Sequence, residues 1–246
     1  RQFANADLDA LAGDDVVYFD VLSLFVVSYS YAVALVGVLL CAPLFVWLAV
    51  EEIKPGRNKG MKMFAMLMIL LVFYGATAWV LAYFNTFSIP AGQIGDFSDS
   101  SGKLHLLLFV LVNAAVFILA LHYAGRFFAR FDIVLPILTL WLIVLIGVFI
   151  RMPGASHILM LPLLCMLIGI HVERYSWGKH LPAGVGIAAS IVFPLPLLII
   201  WSQLVYAILL ALTLQASLVI SALTLFALSL LAFYLLPEKR KGKHVI

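Results

Sequence analysis

Long apolar runs separated by short polar clusters are the main pattern of this sequence. Five runs have the length of a membrane-spanning helix and contain no Asp, Glu, Lys or Arg: 29–50, 63–84, 104–123, 133–150 and 155–172. Because a helix of about 20 apolar residues crosses the hydrocarbon core of a bilayer, each run predicts one transmembrane helix. The pattern therefore predicts an all-α fold, a polytopic membrane helical bundle.

A further stretch, from Leu181 to Leu236, contains no charged residue at all. It is too long for one span and short for three. Pro194 and Pro196 are expected to kink or break a helix here, because proline lacks a backbone N–H and clashes with the preceding turn. Two spans in this stretch bring the predicted total to about seven, and a tight turn at Trp201-Ser202-Gln203 would raise it to about eight.

The distribution of basic residues predicts the orientation in the membrane. They gather in four places: Lys54–Lys62, Arg126–Arg130, Arg174–Lys179 and Lys239–Lys243. Lys and Arg near the ends of spans mark cytoplasmic loops. The clusters alternate with acidic or nearly neutral connections, so we expect the N-terminal side outside the cytoplasm and the C-terminus inside it. That arrangement requires an odd number of spans.

The composition fits a membrane environment. The chain is 65% hydrophobic and 11% charged, whereas soluble domains average about 25% charged residues. The lipid bilayer is therefore the expected partner, and no nucleic acid is expected, because the basic residues are divided among several loops. We expect an extracytoplasmic or interfacial linker at 1–28, a transmembrane bundle at 29–236 and a basic cytoplasmic tail at 237–246. Since the chain begins at Arg1 rather than Met, we also expect an upstream part.

Polar side chains inside the apolar runs are the candidates for contacts within the bundle. Asn113 lies in the middle of the third run, and Gln203 and Gln215 interrupt the last apolar stretch. Such amides usually form hydrogen bonds between helices, and contact with a substrate is the sharper alternative. Cys41 and Cys165 lie far apart inside apolar runs, so they are expected to be small core hydrophobes rather than a disulfide.

Two charged clusters could in principle carry chemistry. His171, Glu173 and His180 are residue types that bind zinc, but residues two apart on a helix point to different sides. We therefore favour a solvated cytoplasmic loop with interfacial histidines. Glu51-Glu52 is read as charge balance beside neighbouring basic residues at the headgroups. No residue of this chain is predicted to be catalytic or to bind a metal.

Two stretches resemble a known family. Val16 to Tyr29 resembles the segment that joins the catalytic domain to the membrane domain in membrane-bound members of metallopeptidase family 28, and Asn5 to Leu8 resembles its bacterial members. Pro153 to Ser156, followed by Leu161 to Leu164, resembles the family's Pro-Gly-Ala-Ser turn and the Trp-Pro-Leu-Leu after it. Four positions depart from the family pattern: Ser23 replaces Gly, Ser30 replaces Pro, His157 replaces Tyr and Leu161 replaces Trp.

The resemblance covers the chain as the C-terminal membrane half of such a protein. It implies a di-zinc aminopeptidase-like domain upstream, with zinc bound there and no cofactor in this chain. No His-x-Asp pair is present, so the zinc ligands of the family do not map onto this sequence. Four residues are expected to contact the upstream domain: Tyr18, Asp20, Arg151 and His157. A bacterial inner membrane is the expected location, with the N-terminal side periplasmic and the C-terminus cytoplasmic.

The leading hypothesis is the membrane domain of a membrane-anchored zinc exopeptidase, itself non-catalytic. It would anchor the protein in the membrane. Since one span already anchors a protein, the additional spans are expected to serve oligomerisation or substrate access. The alternative is a small-molecule permease or channel subunit, which predicts a polar path through the bundle. An intramembrane metalloenzyme built on His171, Glu173 and His180 is a third reading.

Overall fold

The structure is a computed structural model that describes residues 16–21, 25–53, 59–88, 100–175, 188, 192–201, 204 and 217–236. Within these residues a two-stranded β-hairpin precedes a bundle of helices. Strand β1 is Val16–Val21 and strand β2 is Phe25–Ser30. The helices are α1 (Tyr31–Ile53), α2 (Lys59–Ser88), α3 (Ser100–Phe127), α4 (Arg130–Arg151), α5 (His157–Tyr175), α6 (Ser217–Ser229) and α7 (Ala232–Leu235).

The predicted helical membrane bundle is confirmed in its main elements. Helices α1 to α5 are each long and apolar enough to cross a membrane, and they match the five apolar runs of the sequence. Between α4 and α5 the chain forms a 3₁₀ turn at Pro153–Ala155. The last two predicted spans fall partly on residues outside those described, so a total of about seven stays a prediction.

The sequence did not lead us to predict the hairpin. Val16 to Ser28 were assigned only to an extracytoplasmic or interfacial linker before the first span. The strands pair antiparallel, with Val16 opposite Ser30 and Val21 opposite Phe25. Both strands are rich in β-branched and aromatic residues, which favour extended backbone. Two such runs separated by three residues are a recognised hairpin signal. The apolar character of the segment therefore reflects strand formation ahead of the first span.

Helices α4 and α5 form the centre of the bundle. In α4 and α5, 44% and 50% of the span residues are buried, against 22% in α1. Trp141 of α4 is fully buried and stacks on Phe226 of α6 with 4.3 Å between ring centroids. Its Nε1 donates a hydrogen bond to Ser229 Oγ at 3.1 Å, and its ring meets Trp201 edge-on at 5.6 Å. This indole joins the last part of the chain to the central helix.

Several prolines lie inside the helices. Pro43, Pro136 and Pro162 fall within α1, α4 and α5 without ending them, as neighbouring helices allow in membrane proteins. At residues 193–194 the chain instead forms a turn, and residues 195–201 are helical. The predicted interruption at Pro194 is therefore confirmed.

The bundle has two chemically different ends. At the hairpin end lie the strands, the start of α1 and the turn Pro153–Ala155, which contact one another. At the basic end α1, α3 and α5 finish and α4 begins, as the contacts of Arg130 and Arg174 described below require. Leu236 also lies at the basic end, because a Cβ added to Gly125 near the end of α3 would be 3.1 Å from Leu236 Cδ2.

Candidate functional site

A buried ion pair lies at the basic end. Both terminal nitrogens of Arg130, at the start of α4, are 3.3 Å from Glu173 Oε1, near the end of α5. The two side chains are each only 10% exposed. Arg130 Nε also donates to the carbonyl oxygen of Phe233 at 2.6 Å, and its guanidinium lies 3.5 Å from the centre of the Phe233 ring. One arginine therefore connects α4, α5 and α7.

A more exposed ion-pair cluster surrounds Arg174, the next residue of α5. Its guanidinium donates to Glu51 Oε2 at 3.1 Å and to Glu52 Oε1, both at the end of α1. It also lies 4.8 Å from the centre of the Phe131 ring in α4. The prediction that Glu51-Glu52 serves charge balance agrees with this geometry, although the balancing cation is Arg174, from a distant part of the sequence.

The contacts of α1 with α5 show that these two helices are parallel neighbours. Met160 near the start of α5 lies against Gly37 of α1, where a Cβ would collide with the methionine sulfur. Further along, the rings of His171 and Trp47 are 5.0 Å apart, and Arg174 then meets Glu51 and Glu52. The paired residues stay about 123 positions apart in sequence. Both helices therefore run from the hairpin end to the basic end.

The proposed zinc cluster does not assemble among the described residues. His171 Nε2 is 3.1 Å from the carbonyl oxygen of Leu44, whereas Glu173 pairs with Arg130 on another side of α5. No three His, Cys, Asp or Glu side chains meet as metal ligands would in the part of the chain that the structure describes. Glu173 is also buried rather than solvated, and His180 lies outside the described residues. The solvated-loop reading of Glu173 is therefore corrected to a buried ion pair.

The hairpin end holds the residues predicted to contact an upstream domain. Arg151 is exposed at the end of α4, where such a contact is available. His157 is only 8% exposed, and its predicted contact with an upstream domain stays a prediction. The backbone of Tyr18 and Asp20 lies in β1, opposite Ser28 and Val26, but the contacts of their side chains are outside the description.

The turn at this end is held by its own hydrogen bonds. Ser156 is fully buried, and its Oγ donates to the carbonyl oxygen of Pro153 at 2.7 Å. The backbone N–H of Ser156 donates to the same oxygen at 3.1 Å. Strand β1 contacts the turn, and both strands contact the start of α1. The two stretches that resemble one family therefore lie side by side.

Polar side chains inside the bundle gather on α3 and α6. Asn113 is fully buried on α3, as its central position in the apolar run predicted. Helix α6 packs against α3 and carries Ser221 and Thr224, both buried. The sequence reading did not single out these hydroxyl residues, because Ser and Thr are common in transmembrane helices. Gln203 and Gln215 lie outside the described residues, so their predicted contacts stay predictions.

Both cysteines are free thiols within the helices. Cys41 in α1 is fully buried, and Cys165 in α5 is partly buried. Their positions follow the parallel register of α1 and α5, so they belong to one helix interface. The prediction that they are core residues rather than members of a disulfide framework agrees with this placement.

Comparison with known protein families, with curated protein sequences and with solved structures found no match to this chain. The features of this chain that bear on its function are the bundle, its apolar outer surface and the organisation of its two ends. Five long apolar helices indicate an integral membrane protein that contacts the lipid bilayer.

Proposed function

We propose that this chain is the membrane domain of a membrane-anchored zinc exopeptidase of the aminopeptidase-like type, and that it is itself non-catalytic. One observation carries the proposal: β1 contacts the turn Pro153–Ala155. The stretches that resemble metallopeptidase family 28 are about 130 positions apart in sequence and meet at one end of the bundle. Two such segments in contact are expected if both belong to the surface that receives the upstream domain.

The proposal assigns zinc and the catalytic residues to the upstream domain. The family's site needs a His-x-Asp pair and a bridging aspartate, and this sequence has no His-x-Asp pair. Glu51 and Glu52, the one Glu-Glu pair, lie at the basic end beside Arg174, opposite the hairpin end. The role of the chain is then to anchor the catalytic domain and to determine, through the hairpin, where that domain joins the bundle.

The proposal includes seven spans with the hairpin end periplasmic and the basic end cytoplasmic in a bacterial inner membrane. Phe193 lies against Gly169 near the basic end of α5, and Trp201 lies beside Trp141 in the middle of α4. These contacts support a sixth span that begins near the basic end and runs away from it. Phe226 stacks on Trp141 and the Phe233 carbonyl accepts a hydrogen bond from Arg130. These contacts support a seventh span that returns to the basic end.

The large bundle has a task beyond attachment in this proposal, because one span already holds a protein in the bilayer. The exposed apolar faces of α2 and α3 are available for contact with a second copy of the chain in a homo-oligomer. Trp79 and Tyr83 of α2 stack at 5.8 Å on that outer surface and are 62% and 53% exposed. Aromatic residues of this kind favour the boundary between lipid and water.

Expression of the gene with its natural sequence upstream of Arg1 tests the proposal. The membrane-purified protein should hydrolyse aminoacyl anilides, lose this activity with a zinc chelator and regain it when zinc is restored. The chain from Arg1 to Ile246, purified alone, should hydrolyse nothing. An upstream sequence without a peptidase domain, or peptide cleavage by the isolated chain, would contradict the proposal.

A small-molecule permease or channel subunit is the second candidate, and the buried polar residues of α3 and α6 favour it. Asn113, Ser221 and Thr224 supply hydrogen-bonding groups inside an otherwise apolar bundle. Asn113→Leu in proteoliposomes should abolish solute uptake if these residues line a path. Under the peptidase proposal the same variant leaves peptide hydrolysis by the longer protein unchanged.

A further inference from the structure

The hydroxyl group of Ser221 in α6 differs from other hydroxyl groups inside the helices. Thr139 Oγ1 donates a hydrogen bond to the carbonyl oxygen of Leu135 at 2.8 Å. Ser229 Oγ, on the same helix as Ser221, donates to the carbonyl oxygen of Phe226 at 2.5 Å. Ser221 is fully buried, yet its Oγ has no hydrogen-bond partner among the described residues. A hydroxyl group buried without a partner costs free energy, which a bound molecule can recover.

Helices α3 and α6 run parallel, and this sets the depth of Ser221. Leu236, shortly after α6, lies against Gly125 near the end of α3. Asn113 lies twelve positions before Gly125, and Thr224 lies twelve positions before Leu236. At about 1.5 Å per helical residue, both are about 18 Å from the basic end. Asn113, Ser221 and Thr224 therefore share a level near the middle of a hydrocarbon core about 30 Å thick.

The buried faces of α3 and α6 meet at this level. Asn113 is fully buried on α3, and α6 is the main neighbour of α3 among the described helices. On α6, Phe226 faces Trp141 of α4. Thr224 lies about 160° around the helix from Phe226, on the side away from α4. Ser221, three positions before Thr224, shares that side. The three polar side chains therefore converge between α3 and α6.

The groups that converge here are neutral and include both donors and acceptors. A hydroxyl group donates one hydrogen bond and accepts two, and an amide side chain has two N–H donors and an acceptor oxygen. Asn113 can therefore bind a further molecule besides its protein partner. Neither α6 nor residues 104–123 of α3 contain Asp, Glu, Lys or Arg, so an ion would lie here without a counter-charge. A small neutral molecule fits this chemistry, and buried water typically makes about three hydrogen bonds to buried polar groups.

We propose that α3 and α6 bind one water molecule between Asn113, Ser221 and Thr224. Ser221 Oγ donates a hydrogen bond to the water oxygen, and the water donates to the side-chain oxygens of Asn113 and Thr224. The bound water joins the two helices at a level that is otherwise apolar. This inference is independent of the peptidase proposal, because it needs neither zinc nor an upstream domain.

Solid-state NMR of the full chain in lipid bilayers tests the inference. Magnetisation transferred from water should reach the side-chain amide protons of Asn113, and Ser221→Ala should abolish this transfer. Ser229→Ala is the matched control, because it removes a hydroxyl group of the same helix that is already bonded to Phe226. It should leave the Asn113 signal unchanged. No transfer to Asn113 in the unaltered chain, or equal transfer in Ser221→Ala, would overturn the inference.

The sign of a stability change separates a bound water from an unpaired hydroxyl group. If Ser221 binds water, Ser221→Ala removes a hydrogen-bonded group, and the midpoint of thermal unfolding in detergent should fall. If the hydroxyl group has no partner at all, the same change removes a costly buried polar group, and the midpoint should rise. A higher or unchanged midpoint in Ser221→Ala would therefore also overturn the inference.

Discussion

The two ends of the bundle join their helices by different means. At the basic end, ion pairs and cation–π contacts connect helices that are distant in sequence, with Arg130 and Arg174 as the central residues. At the hairpin end, backbone pairing between β1 and β2 and the bonded turn Pro153–Ala155 do the connecting. Side-chain charge therefore fixes the arrangement of helices at one end, and backbone geometry fixes it at the other.

This difference suits the two ends to different tasks. Charged side chains at the basic end are neutralised across helices, so removal of one partner of the buried pair would leave an uncompensated charge. The hairpin end leaves Arg151 exposed and leads the chain into the bundle through a pair of hydrogen-bonded strands. Under the peptidase proposal, a domain attached upstream would meet these paired strands first.

The largest effect should come from Arg130→Met, which breaks the buried pair at the basic end. It leaves Glu173 buried without its cation, so we expect a loss of about 3–5 kcal/mol in the free energy of unfolding. Titration with SDS in mixed micelles, followed by tryptophan fluorescence, measures it. Adding Glu173→Leu should restore a substantial part of the loss. A double variant as unstable as the single one would show that the charge imbalance is not the cause.

Gly169→Val should have the next largest effect, also near the basic end. A Cβ at Gly169 would lie 2.9 Å from Phe193 Cβ and would press on the Tyr234 hydroxyl. Overpacking of this kind costs about 1–3 kcal/mol. The midpoint of thermal unfolding in detergent should fall, while Gly147→Val, where the added group meets open space, should leave it nearly unchanged. Equal midpoints for the two variants would argue against the close approach of α5 to Phe193.

Ser156→Ala tests the hairpin end. It removes the hydrogen bond from Ser156 Oγ to the carbonyl oxygen of Pro153 without adding volume. We expect a loss of about 1 kcal/mol in the free energy of unfolding. Protease digestion should also become faster at the turn and the hairpin, and not at the basic end. If cleavage increased equally at both ends, the turn would not be a local element.

Arg174→Gln should have the smallest effect of the four. Arg174 is 31% exposed and Glu51 43% exposed, so water and salt weaken this pair. Exposed ion pairs contribute about 0–1 kcal/mol. Comparison with Arg130→Met in the same micelles tests whether burial determines the value of each pair. High salt should reduce the Arg174 effect and change the Arg130 effect little.

The five long helices could be predicted because their apolar runs match the bilayer thickness. Their ends could not be predicted as closely: α2 runs from Lys59 to Ser88, beyond the predicted 63–84, since helices continue into polar residues at the membrane boundary. The hairpin was missed because its residues are as apolar as a span. Its β-branched and aromatic residues, in two runs separated by a short loop, are the sequence signal that indicates two paired strands.

The candidate residues show why contacts across the chain escape sequence reasoning. The burial of Asn113 followed from its place in an apolar run. The pairing of Glu173 with Arg130 depends on two helices meeting in space, and no spacing along the sequence indicates it. His157 lies a few positions after the exposed Arg151 and Met152 in sequence, yet it is buried at the start of α5. The residues around a position in sequence indicate whether it lies in a span. Whether its side chain is buried depends here on which helix packs against it.

The parallel pairing of α1 with α5 has a consequence for biosynthesis. Consecutive spans joined by short loops run antiparallel, and here α2, α3 and α4 are made between the two parallel helices. At ribosomal speeds of about 5–20 residues per second, roughly ten seconds pass before the matching helix emerges. During that interval the surface of α1 around Gly37 lacks the residue that covers it in the finished bundle, Met160 of α5.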